Sequence, residues 1–516
     1  MAKKILIDAK YPEEKRVAIL EGDRLVDFYV ELTAKEHLRG NIYKGRIARI
    51  EPSLQAVFVD FGQKKHGFLQ VREIMPEYCN TEGKGKKSRI QEIFHKGQEL
   101  LVQVEKDERE TKGASLTTYI SIPGRYIVMM PGQERVGISR KIGDKRDRDR
   151  LKEIFGKLHL PENMGFILRT AGIDKTAEDI SNDLNYLTKL WAEIRKEADA
   201  QKAPALIYKE QDIAIRTVRD YLTSDVDEVL VDDQETVRNI KSFLRRTLPG
   251  RRINVKYYKD KRPIFDLHNL EGQIAGISER FVHLPSKGYL VIDRTEALTA
   301  MDVNSGRSRK EKNIEQTALK TNLEAADEAA RQLRLRDLGG LVVIDFIDME
   351  SGKNRRQVEA RLKTALLADK AHTDITGISR FGIVEMTRER MRTAYFESTY
   401  KQCPMCAGEG VLKTDEVLAL TAYRDIHMKA SRGGLKSIDC RLPVTSANYL
   451  LNAKRDGIVK MEKDFKIKIS ITGEPSILPG QYEISMEKAR EIEVFEKPGP
   501  VEEKEEKPQE TPAVES

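Results

Sequence analysis

Two aspartates and an asparagine define the chemistry this chain can be asked to perform. Asp302 and Asn304 lie in Leu298-Thr-Ala-Met-Asp-Val-Asn304, and Asp345 lies in Leu341-Val-Val-Ile-Asp-Phe-Ile-Asp348. Both runs have strand composition. The second is too apolar for a surface strand, so an unpaired carboxylate inside it would cost roughly several kcal/mol. Side by side at one sheet edge, with Asn304 next to them, the two acids can hold a hard divalent cation. Magnesium takes one or two carboxylates and leaves its other positions to water and phosphate oxygens, so this set suits a phosphodiester site better than a calcium cage. The competing reading has one acid capping a turn and the other paired with Arg307, Arg309 or Arg355.

Three further constellations stand out. Cys403-Pro-Met-Cys406, followed by Gly408 and Gly410, places two thiolates at i and i+3, as a zinc knuckle does. The chain offers no second pair, so a four-ligand site requires two chains to share one ion; a redox dithiol is the competitor. Leu168-Arg169-Thr170-Ala-Gly172 puts a guanidinium, a hydroxyl and free amides at a strand end, a combination that can bind phosphate. Phe58, Phe61 and Phe68, with Lys65, His66, Lys106 and Lys112, mix aromatic and basic side chains as single-strand binders do. Alternatively, two of the three phenylalanines fill a core.

The elements that must position these residues follow from periodicity and turn chemistry. Short strands at Ile42–Ile50, Gln55–Gly62, His66–Leu69 and Glu99–Glu105 predict a small five-stranded barrel of the OB type. Tyr119–Met130 is strand-like, and a helix from about Ala177 to Ala200 is capped by Asp174 or Thr176. The N-terminal strands Lys4–Ala9, Arg16–Glu21 and Arg24–Glu31 are too few for a core and need partners from Asp225–Tyr258. Around the acids, Gly288–Asp293 and Leu298–Asn304 are strands. Ile314, Ala318, Ala325, Ala329 and Leu333 then mark a helix from about Asn313 to Arg336.

Composition narrows the function class. Hydrophobic residues make up 39% and charged residues 34% of 516, which is a charge-rich, water-soluble composition. No run reaches the ~20 apolar residues of a membrane span, and Met1–Asp8 enters a strand without a signal-peptide core, so the cytoplasm is the expected compartment. Net charge is +7, and the terminal Glu496–Ser516, with seven Glu and three Lys, contributes −4, leaving +11 for the rest. A basic excess favours phosphate-bearing partners. Four cysteines in so long a chain argue against a disulfide framework.

Ala300-Met-Asp-Val-Asn-Ser-Gly306, Gly339-Gly-Leu-Val-Val-Ile-Asp-Phe-Ile-Asp-Met349, Ser379-Arg-Phe-Gly382 and Cys403-Pro-Met-Cys406 resemble the ribonuclease E/G family in order and spacing. So do Phe58 to Gly62, His66-Gly-Phe68 and Leu168-Arg-Thr-Ala-Gly172, and the resemblance runs from residue 1 to about 490. The short tail resembles the ribonuclease G type and implies no degradosome scaffold in this chain. The resemblance implies a multidomain α/β and α+β fold. A ribonuclease-H-like domain (1–36 plus 215–278) would be interrupted by an OB-type RNA-binding barrel (37–119) and a 5′-sensor domain (120–214). A DNase-I-like catalytic domain (279–400), a zinc link (401–415), a small α/β dimerisation domain (416–494) and a disordered acidic tail (495–516) would follow.

It implies also a magnesium-dependent endoribonuclease that cuts single-stranded RNA, is stimulated by a 5′-monophosphate, and leaves 5′-phosphate and 3′-hydroxyl ends. Its roles would be in rRNA and tRNA processing and in mRNA decay. Asp302 and Asp345 would bind magnesium with Asn304 assisting, and Phe58, Phe68 and Lys112 would clamp RNA. Arg169 and Thr170, with backbone at Gly124 and Val128, would hold the 5′-monophosphate. Cys403 and Cys406 would share zinc with a second subunit, giving a homodimer or homotetramer. His372 stands where family members often carry an RNA-contacting arginine, which weakens one phosphate contact at neutral pH.

Overall fold

The computed structural model describes residues 3–33, 37–78, 90–108, 113–139, 141–223, 225–249, 253–306, 314–391, 395 and 399–488. The chain forms two compact units, residues 1–399 and 400–516.

The first unit opens with the antiparallel strands Lys3–Asp8, Glu14–Glu21 and Arg24–Leu32. Lys3–Asp8 also runs parallel to Val226–Val231, which runs parallel to Val255–Tyr257. Ile5, Leu6 and Ile7 are fully buried in succession, as befits a central strand covered on both faces. Segments far apart in sequence therefore share one sheet.

Between them lies the barrel. Ile42–Glu51, Ala56–Asp60, Gly67–Gln70, Ser115–Thr117 and Glu99–Lys106 pair in that order, and the last pairs back onto the first. Ser115–Thr117 supplies the fifth strand, which is too short to announce itself by alternation. Ala205–Tyr208 pairs with the outer flank of Ile42–Glu51.

A four-stranded sheet follows, in the order Val136–Ile138, Met164–Leu168, Ile127–Pro131 and Ile122–Pro123. The single strand expected from Tyr119 to Met130 is broken at Gly124. The cause is Asp183 on the helix Ala177–Ala200: fully buried, it accepts the amides of Arg125 at 3.1 Å, Tyr126 at 2.7 Å and Ile127 at 3.0 Å. A Cβ on Gly124 would come within 2.6 Å of that carboxylate, so only glycine fits this turn. Thr176 caps the helix in a capping box with Asp179.

The last sheet of the unit has the order Phe281–His283, Tyr289–Arg294, Leu298–Asn304, Gly340–Asp345, Ile383–Arg388 and Thr373–Ile375. The helix Ile314–Arg336 packs on it through buried Ala318, Ala325, Ala329 and Leu333, as its periodicity predicts, whereas Ile314, expected on the same face, is 90% exposed at the helix start. At the foot of the sheet Arg388 is buried, bonding Asp369 at 2.7 Å, Asp337 at 2.8 Å and the Leu338 carbonyl at 2.9 Å.

Lys370 reaches from this sheet's edge to the carbonyl of Asp220 and lies 3.3 Å from the centroid of the Tyr221 ring. Burial pulls its amine down to about 7 from 10.5; Arg169 and Arg219 pull the same way, against Asp220 and Asp27. From pH 7 to 10.5 the unfolded chain therefore binds the proton that the folded chain has released, so this group makes stability rise with pH across that window. A denaturation midpoint that climbs above neutral pH is expected, with the slope reduced in Lys370→Met. Identical slopes in the two proteins would contradict it.

The second unit holds the helices Asp415–Ser431, Val444–Ala453 and Arg455–Phe465 on a three-stranded sheet in the order Lys468–Gly473, Leu435–Leu442, Glu483–Lys488. Cys440 is buried in its core, where burial pushes the thiol up to about 12, a structural cysteine. Among the described residues, no helix is long and apolar enough to cross a membrane. The acidic tail lies outside the described residues.

Candidate active site and nucleic-acid interface

Leu298–Asn304 and Gly340–Asp345 run parallel, and their register sets Asp302 directly beside Asp345. Both side chains are exposed. The strand Gly340–Asp345 buries only alternate residues, Val342 and Ile344, so Asp345 is its last residue and faces outward. The expectation of a carboxylate inside a fully covered strand is thus corrected: the acid stands on the open face and is only partly desolvated. Asn304 donates from Nδ2 to Asp302 Oδ2 at 2.7 Å, orienting that carboxylate.

Partial burial first, then the charges of Asp302 and Asp348, raise the Asp345 carboxyl above the usual range. Two like charges held together this way are what a divalent cation relieves. Asp348, three residues on, is a member of this acidic edge that the sequence reading did not single out, although its spacing in the run displayed it. Among the described residues no group of three or more His, Cys, Asp and Glu side chains is placed to hold a metal. Two carboxylates and an amide nonetheless fit magnesium, which fills its remaining positions with water and phosphate.

The loop after Asp345 is fixed from below. Asn322, fully buried on the long helix, donates to the Ile347 carbonyl at 2.8 Å and accepts the Ile347 amide at 3.0 Å. Glu315 of the same helix accepts the amides of Glu350 at 3.0 Å and Ser351 at 3.2 Å. From the other side comes the turn Ser379–Gly382, whose Gly382 carbonyl accepts the Phe346 amide at 3.3 Å. Arg307 and Arg309 lie outside the described residues, so no ion pair can be assigned to them. Arg355 and Arg380 line a small cleft with Asp348 and Gly382.

On the barrel, cross-strand register places Arg49 beside Phe58, Phe58 beside Phe68, Phe68 beside Ser115 and Ser115 beside Lys106. These residues form one stripe across the outer face. The Phe58 and Phe68 rings are 5.7 Å apart, and the Arg49 guanidinium lies 4.6 Å from the Phe58 centroid. Lys106 and His66 are exposed. Phe61 is 2% exposed and packs edge-on against Tyr43 at 5.1 Å, so it belongs to the barrel core and is removed from the RNA-facing set. Its parity in the strand differs from that of Phe58, a signal already present in the alternation. Arg49 was missed because its partner is defined only by pairing across strands. Lys112 lies outside the described residues.

Arg169 and Gly124 come together, with Arg169 Nη1 donating to the Gly124 carbonyl at 2.7 Å and Nη2 pairing with Asp220 at 2.8 Å. The Gly124 amide donates to the Ile127 carbonyl at 2.8 Å, so the backbone of Gly124 meets Arg169 through its carbonyl. Thr170 is exposed and opens a short turn, and Val128 is half-buried on the adjacent strand. Against burial, which raises it, Arg219, Arg169 and Lys370 hold the Asp220 carboxyl below its usual range.

A family model described as the ribonuclease E/G family matches residues 121–391, more than half of the chain. The chain belongs to the ribonuclease E/G family. An S1 RNA binding domain matches 36–118, which spans the barrel, and an RNase E/G thioredoxin-like domain matches 402–489. A protein named ribonuclease E from Escherichia coli (strain K12) is 45% identical over 465 residues, 89% of this chain and 44% of that protein. Ribonuclease E of Haemophilus influenzae is 45% identical over 473 residues, 91% of this chain and 50% of that protein. Ribonuclease G of Salmonella typhimurium is 40% identical over 419 residues, 80% of this chain and 86% of that protein. The chain thus spans about half the length of the ribonuclease E proteins it matches.

In this ribonuclease E/G chain the cysteine pair lies at the start of the thioredoxin-like match. Cys403 is exposed and Cys406 partly so. The amides of Cys406 and Met405, with the Cys406 side chain, hold the Cys403 thiol below its ordinary value. Ala407, Gly408 and Gly410 all have positive φ, which curls the chain around the pair. Turn amides aimed at sulfur favour thiolates, and two of them make half of a tetrahedral zinc set.

Proposed function

We propose that this chain is a magnesium-dependent endoribonuclease that cuts single-stranded RNA to 5′-phosphate and 3′-hydroxyl products and is stimulated by a 5′-monophosphate. The observation that carries the reading is the in-register Asp302–Asp345 pair with its Asn304 bond, inside the segment matched by the ribonuclease E/G family. Asp302, Asp345 and Asn304 would hold the magnesium ion, which when bound supplies Lewis-acid polarisation of the phosphate and a water of lowered pKa. Asn304 keeps the Asp302 carboxylate turned toward its neighbour. Asn322 and Glu315 lock the loop behind Asp345, so the acids need no reorganisation on binding. Arg355 and Arg380 supply cations for the phosphate backbone, and the Arg49–Phe58–Phe68–Lys106 stripe stacks and steers the bases.

Arg169 and Thr170 are the groups we assign to the 5′-monophosphate, with Val128 alongside; an incoming phosphate would compete with Asp220 for the guanidinium. Cys403 and Cys406 would complete a zinc site with the same pair of a second copy, so the working unit is a homodimer or higher. The ribonuclease-H-like and DNase-I-like arrangements, action on rRNA and tRNA precursors and mRNA, and a cytoplasmic setting belong to the same reading. Its test compares one short RNA carrying a 5′-monophosphate or a 5′-hydroxyl at fixed salt, because phosphate contacts are salt-sensitive. Cleavage that needs magnesium and is faster on the monophosphate form is expected. Equal rates would remove the sensor assignment, and no cleavage of either would leave a binding protein.

A further inference from the structure

Phe381 is the feature of the acid-pair edge that nothing so far uses. It is 67% exposed, in the turn that leads into the strand Ile383–Arg388, whose Val384 and Met386 are buried. A phenyl ring left in water contributes nothing to the fold. The turn that carries it is tightly made. Gly382 donates to the Ser379 carbonyl at 3.2 Å, Ser379 donates its amide to Ile383 at 2.9 Å, and the Phe381 amide donates to Ser379 Oγ at 3.2 Å. Gly382, at φ +80°, brings the turn against the acids: a Cβ there would lie 3.3 Å from Asp348 Oδ1 and 3.9 Å from Asp345 Oδ1. The Arg380 guanidinium packs on the Phe381 ring, 4.7 Å from its centroid, and lines the cleft shared with Asp348 and Arg355.

A rigid turn thus displays an aromatic face, braced by a cation, on the residue that precedes Gly382, the glycine that abuts Asp345 and Asp348. We propose that Phe381 is a substrate-positioning residue on which a base flanking the scissile phosphate stacks, with Arg380 holding the ring and facing the phosphate backbone. This rests on the endoribonuclease reading. Stacking recognises the π-face shared by all bases, so it fixes the place of the cut relative to the acids without fixing its sequence. It also requires an unpaired base, which gives single-strand preference at the cut itself, separate from binding on the barrel.

The test uses the full chain with magnesium and a short single-stranded RNA having one cut site, then the same RNA with an abasic nucleotide at each of the two positions on either side. Phe381→Ala should lower kcat/KM on the intact RNA by about 10-fold, and Phe381→Trp should stay near the starting protein. One abasic RNA should cost the starting protein a similar factor while costing Phe381→Ala nothing further. Independent, multiplying losses at all four positions, or an unchanged Phe381→Ala, would overturn the proposal. Unchanged melting temperatures are expected for both variants because the ring is exposed. Failure of the unsubstituted chain to cut any of these RNAs would overturn the nuclease reading itself, a result distinct from a loss of the base dependence alone.

Discussion

Asp302→Asn and Asp345→Asn are each expected to reduce magnesium-dependent RNA cleavage by at least about 10³-fold, roughly 4 kcal/mol of barrier at a factor of ten per 1.36 kcal/mol. Each substitution takes one of two carboxylates from a set whose other member is the neighbour in register. The remaining acid and the Asn304 amide hold a divalent cation poorly. RNA affinity should change little, because the stripe from Arg49 to Lys106 involves neither acid. Folding should be unharmed, since both side chains are exposed and losing one relieves the repulsion that raises Asp345. Single-turnover cleavage, filter binding and melting on the same preparations separate these effects. Cleavage within about 10-fold of the starting protein would refute the assignment, as would full activity in excess EDTA.

The largest stability effect is expected at the opposite end of the same strands. Arg388→Met should destabilise the first unit by about 3–5 kcal/mol, because it strands two buried carboxylates that now share one guanidinium. Asp369 and Asp337 are 8% and 2% exposed, and both bond Arg388, at 2.7 and 2.8 Å. Converting both acids to asparagine in the Arg388→Met background should recover much of the loss, since removing all members of a buried ionic set costs far less than removing one. Urea denaturation measures both. A single-variant loss under about 1 kcal/mol would show that the cluster is wet and screened. The strand Ile383–Arg388 joins this cluster to the acid pair, its first residue opposing Asp345 and its last opposing Gly340.

On the proposed reading, the barrel stripe and the acid pair divide the work by their physics. Stacking and cationic steering on the barrel tolerate any base. The acid pair instead demands placement within a fraction of an ångström, which is why its loop is tied by Asn322 and Glu315 rather than left to solvent.

The sequence by itself determined much of this protein. Strand alternation and the 3.6-residue recurrence of Ala318, Ala325, Ala329 and Leu333 located the strand Leu298–Asn304 and the helix Ile314–Arg336, because one-face burial is a local pattern. Local chemistry likewise narrowed the cap to Asp174 or Thr176, of which Thr176 is the one used, and announced the cysteine pair as a turn. The acids were legible as types, and their strands as strands. The expected adjacency of Asp302 and Asp345 at one sheet edge is borne out, but tertiary structure fixed its register and decided the other relations across strands. That Asp302 opposes Asp345 in a parallel pair, that Arg49, Phe58, Phe68 and Lys106 align, and that Asp345 stands on an open face are facts of register, and a shift of one residue would reverse them. Gly124, broken out of its strand by Asp183, shows the same limit: the carboxylate that shapes the turn lies 59 residues away in sequence, 183 − 124, and only packing brings it there. Phe381 completes the point, since a phenylalanine in a turn, unlike Phe61 with its strand parity, has no local mark of whether its ring will be buried or exposed.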